Sequence, residues 1–135
     1  MQNTGALPVT GEAQAILVLD DDLQVLRSVS RMLGSLGYTA VYQASSCEQA
    51  LEIWRSNLDR IKLFISDFVM PRKTGDLIAA EMRKDNPSLK VLFMSGNDPH
   101  SLDSVIALQS GVNYLQKPFS LSEIQHSVER LFLSA

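Results

Sequence analysis

The sequence predicts an α/β fold, a doubly wound five-stranded parallel sheet with five helices. Three observations carry this. From Ala15 onward, short apolar runs alternate with longer helical patterns. The runs are nearly unbroken, as in AILVL at 15–19 and VLFM at 91–94, which suits parallel strands covered on both faces rather than strands wetted on one. The helical patterns repeat apolar residues three and four positions apart, so each helix can lay one stripe on such a sheet.

The elements follow in order. Met1 to Gln14 carries Gly5, Pro8 and Gly11 with no period and reads as a flexible lead or linker, which leaves 15–135 for the domain. AILVL is the first strand. The first helix spans about Leu23 to Leu36, with Leu26, Val29, Leu33 and Leu36 as its stripe and Gly34 and Gly37 closing it. YTAVY at 38–42 is the second strand, Cys47 to Asn57 the second helix and LFIS at 63–66 the third strand. A helix from about Gly75 to Asp85 ends before Pro87, and VLFM forms the fourth strand. A fourth helix is expected from about Ser101 to Gln109 and a short fifth strand from Tyr114 to Gln116. Ser120 and Glu123 form a capping box for the last helix, whose stripe is Ile124, Val128, Leu131 and Phe132.

A chain of 135 residues makes one domain, large enough for an ordinary core without staples. Its single cysteine excludes an internal disulfide, and its longest apolar run, Ala15 to Leu19, is far too short for a membrane span. No charged segment followed by an apolar one marks a signal peptide, so a cytoplasmic location is expected. Twelve basic residues against fifteen acidic ones give a net charge of −3 with no long block of either sign, which disfavours direct nucleic-acid binding.

In a doubly wound sheet the site lies outside the carboxyl ends of the strands. Those ends carry Asp20, Asp21 and Asp22, then Asp67, then Ser95, then Lys117-Pro118-Phe119. Four carboxylates converging on one crevice repel one another and call for a cation. Oxygen ligands without His or Cys favour Mg²⁺, or Mn²⁺ in its place, over Zn²⁺. Plainer readings stand beside these. Asp22 suits a helix cap, although three aspartates exceed what a cap needs. Asp67 alone reads equally well as a turn residue before Pro71, Lys117 as a solvated lysine and Ser95 as a turn residue before Gly96. Together, a lysine opposite the carboxylates and a hydroxyl beside them can bind a phosphoryl group. Trp54 reads as core, Cys47 as structural, and His100 and His126 lie away from the strand ends.

These residues resemble the receiver domain of two-component response regulators. The likeness rests on ILVLDDD, ISDFVMP, Gly75, LFMSG and YLQKPF. LFMSG and LQKPFS look most like receivers at the C-terminal ends of hybrid sensor histidine kinases. The resemblance implies a flavodoxin-like topology with strand order 2-1-3-4-5. It implies that Asp67 takes a phosphoryl group from a phosphohistidine, and that Asp21, Asp67 and the Val69 backbone carbonyl bind Mg²⁺ directly, with Asp20 acting through water. Lys117 and Ser95 would contact the phosphoryl oxygens. Tyr114 would be the switch aromatic, turning inward after phosphorylation and changing the surface of the fourth helix, fifth strand and fifth helix. The implied partners are a histidine kinase or a histidine phosphotransfer protein, with the chain a monomer or weak homodimer. Such a domain catalyses its own phosphorylation and dephosphorylation and is not a turnover enzyme.

Val69 and Asn97 occupy positions that vary in the family and tune phosphoryl lifetime. An apolar Val69 cannot orient an attacking water, which points to a longer-lived state unless Asn97 compensates. Arg72 and Lys73 put two positive charges in the loop beyond the acceptor, either solvated or docking a partner. A pseudo-receiver that works without phosphorylation would usually lack the acceptor or the acidic pocket, and both are present. A haloacid-dehalogenase-type phosphatase needs a threonine where Gln24 stands, and three aspartates would repel the phosphate of a flavin.

Overall fold

The computed structural model describes residues 14–134, so the expected lead lies outside the described residues except for Gln14. The elements are β1 (Ala15–Leu19), α1 (Leu23–Ser35), β2 (Val41–Ala44), α2 (Cys47–Ser56), β3 (Ile61–Asp67), α3 (Gly75–Asp85), β4 (Lys90–Ser95), β5 (Tyr114–Gln116) and α4 (Leu121–Leu133). The five strands are all parallel and ordered β2-β1-β3-β4-β5, as expected.

Alternation along the strands sorts the core into two layers. Leu17, Leu19, Phe64, Val91 and Phe93 face one side, where Ala50 and Trp54 of α2 and Ile78, Ala79 and Met82 of α3 cover them. Ile16, Val18, Leu63, Ile65, Leu92 and Met94 face the other, under Leu26, Val29 and Leu33 of α1 and Ile124 and Val128 of α4. Both faces are dry, which is why the strands read as continuous apolar runs. Trp54 is core, as expected, and its indole N–H also donates to Asp85 at 2.9 Å, tying α2 to α3.

Caps explain the boundaries. Asp22 accepts from the Gln24 and Val25 N–H groups at the start of α1, and the Ser120–Glu123 capping box opens α4. At the end of α1 the Gly37 N–H bonds Gly34 and the Tyr38 N–H bonds Leu33, with Gly37 at φ 100. Tyr38 is thereby committed to closing the helix, and its ring stacks on Phe132 with centroids 5.6 Å apart. β2 accordingly begins at Val41 rather than at Tyr38.

One expected element does not form. Among the described residues there are four α-helices, and the helix expected over Ser101 to Gln109 is instead a single 3₁₀ turn, Pro99–Ser101, followed by an irregular strap. Burial along the strap alternates with period two, so Leu102, Ile106 and Leu108 reach the core while Val105 between them is 66% exposed. Side chains capture the backbone groups a helix would use. The Ser104 hydroxyl accepts from the Ile106 N–H and donates to the Ile106 carbonyl, and Asn113 bonds the Gln109 N–H and the Ala107 carbonyl. Such local bonds compete with helical ones.

Candidate functional site

The C-terminal ends of β1, β3, β4 and β5 bring Asp20, Asp21, Asp67, Ser95 and Lys117 to one edge of the sheet. Asp20, directly after β1, is fully buried, and one of its oxygens accepts from the Asp22 N–H at 2.9 Å. Its other oxygen lies 3.0 Å from the Lys117 ammonium, which is also 3.6 Å from Asp67. Lys117 is placed by β5: its N–H donates to the Ser95 carbonyl at 2.7 Å. Asp20, Asp21 and Asp67 each present a carboxylate oxygen, and the three lie within 4.8 Å of one another.

The electrostatics follow from that crowding. Burial raises the Asp67 carboxyl to about 6, with the charges of Asp20 and Asp21 adding to it and Lys117 and the Val69 N–H opposing. Burial works against the Lys117 ammonium, but its hydrogen bond to Asp20 and the charges of Asp67 and Asp20 outweigh this and hold its pKa above the ordinary value. One lysine thus faces three carboxylates. The oxygen-only donor set and this deficit of positive charge fit a hard divalent cation.

The loop beyond the acceptor is fixed from below. Phe68 is buried edge-on against Phe93, with ring centroids 5.5 Å apart, and its N–H donates to the Met94 carbonyl at 2.8 Å. Gly75 returns its N–H to the Phe68 carbonyl at 2.8 Å. A Cβ on Gly75 would sit 2.6 Å from the Asp67 carbonyl oxygen, so only glycine permits this approach.

The model of the response regulator receiver domain family matches residues 16–129. The chain belongs to that family. The receiver domain is 33% identical over 126 residues to the sensor kinase CckA of Brucella abortus (strain 2308), a match covering 93% of this chain and 13% of the kinase. It is 37% identical over 110 residues to the response regulator MprA of Mycobacterium ulcerans (strain Agy99), covering 81% of this chain and 46% of the regulator. The chain therefore spans less than half the length of either relative. Among solved structures, the receiver domain of the hybrid histidine kinase CckA superposes with a TM-score of 0.69 at 30% identity, over 87% of this chain and 97% of that one. A receiver domain protein from Clostridium thermocellum gives a TM-score of 0.73 at 25% identity, over 87% and 92%. No helix among the described residues is long and apolar enough to cross a membrane.

One residue of the receiver domain, Tyr114, is placed otherwise than expected for a switch aromatic that turns inward only after phosphorylation. The Tyr114 ring is already turned in and fully buried, its hydroxyl donating to the Asn97 carbonyl, while the Asn97 N–H donates to Ser95 Oγ at 3.1 Å. Arg72 and Lys73 lie in a solvated loop, one of the two readings given for them, and each also makes a surface ion pair, Arg72 with Glu48 at 2.7 Å and Lys73 with Glu81 at 2.8 Å. Cys47 is structural, its thiol pushed up by burial and by Glu48. The sequence reading passes over Ser66, fully buried and donating to the Asp67 carbonyl at 2.8 Å, because a serine before the acceptor carries no spacing signal. It also passes over Asp76, which looks like an ordinary acid in the first turn of a helix.

Proposed function

We propose that this receiver domain accepts a phosphoryl group on Asp67 from a phosphohistidine, in a Mg²⁺-dependent step that the domain itself catalyses. The observation that carries the reading is the partly buried Asp67 carboxylate beside Asp20, Asp21 and Lys117. An Asp67 oxygen forms the bond to phosphorus as the bond from phosphorus to the histidine nitrogen breaks, leaving an acyl phosphate and a free imidazole. Hydrolysis by water returns the carboxylate and inorganic phosphate. The Lys117 ammonium, 3.6 Å from Asp67, is placed to neutralise an equatorial phosphoryl oxygen. Ser95 Oγ accepts from the Asn97 N–H and is also hydrogen-bonded to the Tyr114 hydroxyl, so its hydrogen would turn from Tyr114 to a phosphoryl oxygen. A divalent cation would be held by Asp21, Asp67 and the Val69 carbonyl, with Asp20 through water, and when bound supplies charge neutralisation for the transferring group. Because Asp67 titrates near 6, it is mostly ionised and nucleophilic at pH 7.

The donor proposed is a histidine kinase or a histidine phosphotransfer protein. Val25, Val29, Met32, Pro118 and Phe119 line a groove between α1 and the loop after β5, next to Lys117, which supports a protein rather than a small molecule as donor. The kinship with a sensor kinase and a hybrid kinase receiver supports a place in a hybrid kinase. Since Tyr114 is already turned in, phosphorylation would act by fixing this arrangement of β4, the strap, β5 and α4.

Intact-mass analysis after incubation with Mg²⁺ and acetyl phosphate tests the reading. One phosphoryl adduct is expected, dependent on Mg²⁺ and lost in Asp67→Ala. A folded wild type that takes no phosphoryl group from acetyl phosphate or from a phosphorylated histidine phosphotransfer protein would identify a pseudo-receiver instead.

A further inference from the structure

The strap between β4 and β5 carries signals for a helix that it does not form. Asp98 and Pro99 make a cap and first position, since Asp98 accepts from the His100 N–H and Pro99 fixes φ for a first turn. Gly111, at φ 78, stands where a helix would stop. No glycine or proline lies between them. A helix of this length is marginal in isolation, so a few tertiary bonds decide its state.

Asp76 supplies the bond that reaches in from outside. It sits in the first turn of α3, where acidic side chains normally face solvent, yet it is 2% exposed. One carboxylate oxygen accepts from the Thr74 hydroxyl, and the other crosses to the strap and accepts from the Val105 N–H at 2.8 Å. In a helix from Pro99 onward the Val105 N–H would bond the carbonyl four residues earlier, at Ser101. The Asp76 bond and the helical bond are mutually exclusive.

We propose that Asp76 is a latch that holds residues 102–109 in the extended strap, and that releasing it lets the segment adopt the helix its sequence encodes. The two states present different surfaces, because Val105 projects outward from the strap while Leu102, Ile106 and Leu108 point in. The strap joins Ser95 to Tyr114, so under the phosphorylation reading above its state would be sensed at the acceptor site. The latch itself does not require that reading.

The test is amide exchange and Cα chemical shifts over 101–110 in the unphosphorylated protein, in wild type, Asp76→Asn and Asp76→Ala. In wild type the Val105 amide is expected to exchange at least tenfold more slowly than the amide of exposed Asp103, with non-helical shifts throughout. Asp76→Asn keeps an amide oxygen to accept from the Val105 N–H and an amide N–H to donate to the Thr74 hydroxyl oxygen, so it retains both features. Asp76→Ala loses at least tenfold of the Val105 protection and moves the shifts of 102–109 toward helical values. An unprotected Val105 amide or helical shifts in wild type overturn the latch, and this arm stands even if Asp76→Ala fails to fold. A folded Asp76→Ala with wild-type protection and shifts overturns it equally.

Discussion

Burial and the charges of Asp20 and Asp21 lift the Asp67 carboxyl from 3.8 to about 6, so folding at neutral pH keeps ionised a group that its surroundings would rather protonate. The folded state holds a proton between roughly pH 4 and 6 that the unfolded chain has released, so stability falls as pH rises through that window and the cost is complete above it. Asp67→Asn removes the cost. In metal-free urea unfolding the variant is expected to be more stable than wild type at pH 7 by up to about 3 kcal/mol, at roughly 1.4 kcal/mol per unit, with the gap closing near pH 4. A gap of the same size at both pH values would contradict the assignment. Lys117 pulls in the opposite direction. Lys117→Ala leaves the fully buried Asp20 without its 3.0 Å partner, and a loss of roughly 2–4 kcal/mol is expected. The same variant removes a cation from beside the carboxylates and should bind Mg²⁺ about tenfold more tightly by calorimetry while taking no phosphoryl group. Weaker Mg²⁺ binding would show that Lys117 does not oppose the metal.

Among the elements, the ones built from repeated apolar spacing were legible and the one decided by particular long-range bonds was not. α1 and α4 follow from their stripes and caps and the parallel sheet from the βα rhythm, while the strand order came only with the family resemblance. The strap defeated the same reasoning because its pattern fits both periods: Leu102, Ile106 and Leu108 serve an extended segment as well as a helix. The choice rests on Asp76, remote in sequence, and on Ser104 and Asn113, whose bonds have no signature in spacing. At the site, the positions of Asp20, Asp21, Asp67, Ser95 and Lys117 were legible because strand ends are. The inward Tyr114 and the pairing of Arg72 with Glu48 were not, since each depends on a partner in another element. The junction of β3 and α3 gives a sharper prediction. Gly75→Ala drives a Cβ against backbone rather than a flexible side chain, so α3 or the acceptor loop must move. A destabilisation of about 1–3 kcal/mol is expected, with slower phosphorylation by acetyl phosphate in the folded fraction. Unchanged kinetics would mean that the shift is absorbed wholly by α3.

At the scale of the whole molecule, two dry layers meet at one polar edge, and the site's repulsion is a charge on the stability of the entire fold. A ligand that relieves it must therefore raise the unfolding temperature through mass action. At a Mg²⁺ concentration one hundred times its Kd the stabilisation is about 2.7 kcal/mol, which for a domain of this size is roughly a 10 °C rise in Tm. Protons compete for Asp67. With a carboxyl near 6, lowering the pH from 7 to 5 cuts the ionised fraction about tenfold and the Mg²⁺ affinity with it, so at the same Mg²⁺ concentration the stabilisation falls to about 1.4 kcal/mol. Asp21→Asn separates metal binding from folding, because Asp21 is exposed and its loss leaves both core layers untouched. Its metal-free Tm should lie within a degree or two of wild type, while the Mg²⁺-dependent rise shrinks by more than half. Calorimetric scans with and without Mg²⁺ at pH 5 and pH 7 decide the matter. An equal rise in wild type and Asp21→Asn would place the stabilising ion elsewhere on the domain, and a rise indifferent to pH would mean that Asp67 is not among its ligands.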